Sequence, residues 1–163
     1  MRRSTRSGFT LIELLVTVAI IGILVAIAAI NYRNAIERAR QRRSMADIRT
    51  LSTTMETYAL DLARYPPAAA YALPEDLKLP DATLHVARGY LEPTYLRAVP
   101  LVDGWNSWFL YGTDPTRTDY GLRSTGRGGG ADTDPAFGPT TDLDADIILV
   151  NGQFIQWPEG VQR

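Results

Sequence analysis

The chain has no cysteine and a single histidine among its 163 residues, and those two shortages remove several chemistries. Without cysteine there is no disulfide to staple an extracytoplasmic domain and no thiolate to attack or to bind metal. With His85 alone, neither a zinc site nor a Cys–His dyad is expected, so His85 reads as surface or partly buried packing. The formal net charge of -1 singles out no particular partner, and no nucleic acid is expected. Gly128-Gly129-Gly130 is followed by neither a lysine–serine pair nor a helix start, which argues against a phosphate loop. Several carboxylates are present, but none stands beside a nucleophile it would activate. An enzyme is not expected.

What the chain does have is one long apolar run. From Phe9 to Ile30 there are 22 residues whose only charge is Glu13, and as a helix they extend roughly 33 Å, enough to cross a bilayer's hydrocarbon core. An acidic residue in such a span costs about 2.5 to 3.5 kcal/mol at its centre and is normally kept for a partner or a function. Met1 to Gly8 forms a basic leader with Arg2, Arg3 and Arg6. Two rival readings are a secretory signal cut near Ala26-Ile27-Ala28 and a plain uncleaved anchor; the apolar run exceeds a signal peptide's usual ~7–15 residues. Ala19, Gly22, Ala26 and Ala29 recur at helical spacing, either to let helices approach closely or simply as membrane filler.

Beyond Asn31 the helix is expected to continue to about Ala63. Ile48, Leu51, Met55, Tyr58 and Leu62 step by three and four, the stripe of a helix covered by a core, and Pro66-Pro67 closes it. Arg33, Arg38, Arg40, Arg42, Arg43 and Arg49 form a basic band that is either a solvated face or a contact for anionic head groups. Basic and acidic zones on one molecule also suit head-to-tail stacking. The proline-rich stretch 65–100 reads as irregular, with helical turns at Glu75–Lys78 and Leu84–Tyr90. Strands are expected at Trp105–Tyr111, Asp119–Arg123, Ala145–Val150 and Gln153–Trp157, the last two joined by the hairpin signal Asn151-Gly152. The organisation is thus a leader 1–8, an apolar half-helix 9–30, an amphipathic half-helix 31–64 and a globular region 65–163. The fold class is α+β, a long amino-terminal helix packed against a small antiparallel sheet.

Gly8-Phe9-Thr10-Leu11-Ile12-Glu13, after a basic leader and before a long apolar helix, resembles the amino terminus of type IV pilins and pseudopilins. The resemblance implies that a prepilin peptidase cuts after Gly8 and that the new terminus, Phe9, is N-methylated. It also implies that Glu13 registers one subunit against the next in a homo-oligomeric helical filament. Where the family usually has a proline, this chain has Ile30. The resemblance places the chain as a single-pass protein of a bacterial inner membrane, its carboxy-terminal domain periplasmic or extracellular.

A glycine-rich segment, Ser124 to Asp134, runs into Asp142-Leu143-Asp144-Ala145-Asp146. Alternating carboxylates and flexible backbone are what calcium, with its six to eight oxygen ligands, takes; the rival is a merely solvated loop. Asp103-Gly104-Trp105-Asn106, Asp119-Tyr120 and the run from Ser124-x-Gly126 to Asp146-Ile147 are similar to the major pseudopilin of type II secretion, in which this loop binds calcium. Asp146 carries over by position as a ligand, while Asp132, Asp134, Asp142 and Asp144 are candidates on chemistry alone. The family's aspartate–glycine pair is here Gly128-Gly129. The implied function is a filament subunit for protein export, working with an inner-membrane assembly platform and minor pseudopilins. A type IV pilus subunit for adhesion, motility or DNA uptake, and a monomeric anchored binding domain, are the alternatives.

Overall fold

The computed structural model describes residues 8–68, 83–132 and 135–160. Its elements in chain order are α1 (Leu11–Leu62), α2 (His85–Leu91), β1 (Leu110–Thr113), β2 (Tyr120–Ser124), β3 (Gly138–Thr140), β4 (Ile147–Val150) and β5 (Gln153–Pro158). The chain divides into two compact units, Met1–Ile36 and Glu37–Arg163. Most of the leader and the expected turn at Glu75–Lys78 lie outside the described residues.

The first unit holds the apolar half of α1. Leu, Ile, Val and Ala dominate it, with no polar face, and every residue from Gly8 to Ala29 is exposed. Among the described residues α1 is the one helix long and apolar enough to cross a membrane. Apolar residues right round a helix need an apolar surrounding.

In the second unit the same helix supports a core. Ile48, Leu51, Met55 and Tyr58 are buried against Phe109, Tyr111, Tyr120, Leu122, Ile147 and Leu149, and α2 adds Ala87 and Leu91. Each such apolar side chain contributes about 1.5 to 3 kcal/mol on burial. Leu62 departs from the expected stripe and is half exposed. The helix stops there because Ala63 turns left-handed (φ 56) and closes the last turn to the Ala59 carbonyl at 2.8 Å. Termination therefore comes before Pro66, and Tyr65 turns aside to donate its amide to the Arg117 carbonyl at 2.9 Å.

The five strands order as β1-β2-β4-β5-β3. All neighbours are antiparallel except β3, which runs parallel to β5, so the expected antiparallel sheet is a mixed one. β3 is a three-residue edge strand containing Pro139, a residue confined to edges because it has no amide to donate. It offers no alternation that a sequence pattern would show. The expected strand at Trp105–Tyr111 is half turn, with only Leu110 and Tyr111 in β1. The Asn151-Gly152 hairpin forms between β4 and β5, both residues at positive φ (46 and 82), the geometry that matches the right-handed twist of the strands.

Alternation assigns the two sheet faces. Tyr120 and Leu122 of β2 and Ile147 and Leu149 of β4 belong to the helix-facing core. On the other face, Leu110, Arg123, Ile148 and Gln156 stand in register across four strands. All four are buried, which places the loop between β2 and β4 over this second face.

Candidate functional site

Two regions carry the residues expected to have roles. At the amino terminus, Gly8 and Phe9 lie exposed just ahead of α1. Thr10 is the residue before the first helical turn, and its hydroxyl accepts the Glu13 amide at 3.3 Å. In return a Glu13 carboxylate oxygen accepts from the Thr10 amide at 3.5 Å and from its hydroxyl at 3.3 Å. This is a capping box, in which two orphan amides at a helix start are satisfied reciprocally. Thr-x-x-Glu before an apolar run is the sequence signature of such a box, and it gives Thr10 a role that the family resemblance does not. Glu13 thus serves the local helix start while remaining exposed.

The second region is the acidic loop over the outer sheet face. Arg123 rises from β2 into it, fully buried, and its guanidinium pairs with the equally buried Asp146 carboxylate. Nη2 of Arg123 also donates to the Asp132 carbonyl at 2.6 Å. Asp132 and Asp146 clasp each other: the Asp132 amide donates to Asp146 Oδ2 at 3.0 Å, and the Asp146 amide to Asp132 Oδ2 at 3.3 Å. Gln156 donates to the Asp146 carbonyl at 2.9 Å. Burial pushes the Asp146 carboxyl up to about 6, against the pull of the Asp132 amide and the Arg123 guanidinium.

Outside this clasp, Arg127 grips Asp144 with two contacts of 2.7 and 2.8 Å, and that grip lowers the Asp144 carboxyl below its usual range. Asp142 lies exposed and accepts the Asp144 amide at 2.9 Å. Gly126 makes the turn possible: its φ is +60, and a Cβ there would sit 2.6 Å from the Ala145 carbonyl oxygen. Asp134 lies outside the described residues.

The structure therefore brings Asp132 and Asp146 together and leaves Asp142 and Asp144 at the loop's exposed rim. Asp132, Asp142, Asp144 and Asp146, the candidates among the described residues, do not by themselves form a calcium cage. Such an ion takes six to eight oxygens, and among the described residues no three carboxylates converge. Where buried Asp146 meets half-buried Asp132, the balancing charge is already a guanidinium. Around this clasp Oδ1 of Asp146 and Oε1 of Gln156 are buried without a partner.

A second buried carboxylate, Asp103, has a role not expected for it from the sequence. Its Oδ1 accepts the Trp105 and Ser107 amides, both at 2.9 Å, and its Oδ2 accepts the Ser124 hydroxyl at 2.7 Å. The next residue, Gly104, donates to Ser44 of α1 at 2.9 Å. A Cβ on Gly104 would fall 2.3 Å from the Arg40 carbonyl oxygen, so Asp103-Gly104 is the turn that seats the loop on the helix. Aspartate before glycine is the turn signal that marks it. His85 is exposed, edge-on to Trp108 at 6.4 Å. The basic band stays on the helix exterior, with Arg40 on Glu37 at 3.1 Å and Arg43 on Asp47 at 3.5 Å.

Comparison with known proteins converges on one family. The family model described as type II secretion system protein G matches residues 31–146, and the prokaryotic N-terminal methylation motif matches residues 3–29. The type II secretion system core protein G of Pseudomonas aeruginosa is 31% identical over 141 residues, 85% of this chain and 97% of that protein. Its counterpart in Dickeya chrysanthemi is 32% identical over 149 residues, 90% of this chain and 87% of that one. A type IV major fimbrial protein FimA of Dichelobacter nodosus reaches 49% identity, but over 59 residues, 36% of this chain and 38% of the other. No solved structure matches. With the methylation motif leading into an exposed apolar helix and the secretion model spanning residues 31–146, this chain belongs to the type II secretion system protein G family.

Proposed function

We propose that this chain is the major pseudopilin of a type II secretion system, a structural subunit without catalytic activity. A prepilin peptidase removes the leader after Gly8, and Phe9 becomes the methylated terminus. The apolar half of α1 holds the subunit in the inner membrane, with the globular unit on the periplasmic side. It then passes into a helical filament built on an inner-membrane assembly platform with minor pseudopilins. The observation that carries this reading is the exposure of every residue from Gly8 to Ala29 on a chain that matches both family models. An apolar helix with no covered face requires lipid or other copies of itself.

Glu13 supplies the register. In an apolar bundle its carboxylate would pair with the α-amino group of a neighbour's Phe9, and loss of one partner strands the other at a cost of about 3 to 5 kcal/mol. Glu13→Ala should therefore abolish filaments while leaving membrane insertion intact, scored by electron microscopy and membrane fractionation. Unchanged filaments would remove the register role. Intact-mass spectrometry of the chain from its native membrane tests the processing. A terminus at Phe9 with one methyl group is expected, and an intact Met1 would leave only a plain anchor. A type IV pilus is the second reading, favoured by the fimbrial relative's higher identity; its match covers little more than a third of either chain. Filaments extending from the cell surface, without a secretion defect in a deletion strain, would favour it.

A further inference from the structure

The buried arginine at the centre of the acidic loop has no part in processing, insertion or filament register. Taking a guanidinium and a carboxylate out of water is costly, and the cost is recovered only when the geometry is good and the remaining donors are satisfied. Arg123 is held on its donor side: Nε donates to the Asp146 carboxylate, and Nη2 lies against that carboxylate and donates to the Asp132 carbonyl. The two aspartates it joins stand 14 residues apart and hold each other through their own amides. Arg123 thereby pins the body of the loop to its far end, rooted in β2 between Leu110 and Ile148. Arg127 does the same at the rim with Asp144. Gly128, where the resembling pseudopilins carry an aspartate, brings no carboxylate, and a Cβ there would lie 3.2 Å from the Asp144 carbonyl oxygen.

We propose that the Arg123 guanidinium is a built-in cation that stands in for a bound calcium ion, so that this chain's acidic loop closes over the sheet without metal. A protein side chain cannot be chelated away. The loop then holds its shape at any calcium concentration, whereas a metal-pinned loop would loosen when the ion is withdrawn. The proposal is read on the purified chain and does not depend on whether the filament serves secretion or a pilus.

The test uses the full-length chain purified in detergent, with tryptophan fluorescence monitoring thermal unfolding. Melts in excess calcium chloride and in excess chelator should coincide, and calorimetric titration with calcium chloride should give no saturable heat. A calcium-dependent rise in the melting temperature with stoichiometric uptake would overturn the proposal. Arg123→Met and Asp146→Asn should each lower the melting temperature by about 10 °C, and the double variant should lose clearly less than the two combined. Additive losses would show that the pair is not the pin. Should Arg123→Met fail to fold, Arg123→Lys carries the same question. It keeps the charge without the fork and is expected to fold with a smaller loss; an unfolded lysine variant would overturn the cation role.

Discussion

The two halves of α1 share one backbone and differ in everything that surrounds it. In the first half Leu11 is 83% exposed, while in the second half Leu51 is completely buried. Both are leucines in the same continuous helix. The difference lies in what each face meets: the second half turns one stripe to a sheet and keeps its arginines outside, whereas the first half is apolar on every side. Helix formation is thus a local property of the chain, but the stability a leucine contributes depends on what covers it. The second half is completed within its own chain. The first half is a surface awaiting lipid or other subunits.

That contrast can be broken most directly in the core. Leu51→Ala should reduce the unfolding free energy of the globular unit by about 2 to 5 kcal/mol, measured by chemical denaturation of the detergent-solubilised chain. Leu15→Ala, the same truncation on the exposed half, should shift that transition by no more than about 0.5 kcal/mol. Equal losses would mean that the two halves are not separate in their energetics.

A smaller effect tests how the apolar half begins. Thr10→Val removes the hydroxyl that receives the Glu13 amide and should weaken the helix start by about 1 kcal/mol. Faster hydrogen exchange at the Glu13 and Leu14 amides in micelles would report it. Thr10→Ser keeps the cap and should exchange as the natural chain does. If valine and serine behave alike, the capping box does not hold the first turn.

The smallest effect concerns acid. The Asp119, Thr116 and Thr118 amides and the Thr116 hydroxyl hold the Asp114 carboxyl well below its usual range. Glu92 is lowered by the Val99 amide and by Arg88. A depressed carboxyl favours the folded state when ionised. Its contribution is therefore present above about pH 4 and is lost as the pH falls further. Urea midpoints of the globular unit should fall between about pH 4 and about pH 3, with a shallower acid decline in Asp114→Asn. An unchanged decline would place the acid sensitivity elsewhere.

Much of this molecule is legible from residues close together in sequence. The amino-terminal motif, the amphipathic stripe, the short helix near Leu84–Tyr90 and the Asn151-Gly152 hairpin all write their cues within a few positions. The stripe holds for Ile48, Leu51, Met55 and Tyr58 and fails at Leu62, because periodicity marks a face and not where its cover ends. β3 is invisible because Gly138 and Pro139 disfavour a strand and Thr140 alone cannot mark one; they pair along the free edge of β5. The acidic loop is visible as a cluster of like charges, which invites a metal. Arg123 is silent, because a lone arginine in a strand carries no sequence signal of burial.

Periodicity, turn chemistry and length act locally, so the amino-acid order was enough to set the long helix, the β4–β5 hairpin and the apolar surface that α1 leaves uncovered. Which charge balances the loop was left to the three-dimensional fold. Arg123 lies on β2 and Asp146 at the start of β4's pairing, and Asp132 joins them from the loop between. Their meeting depends on the β2–β4 register, which long-range pairing sets and no local pattern encodes.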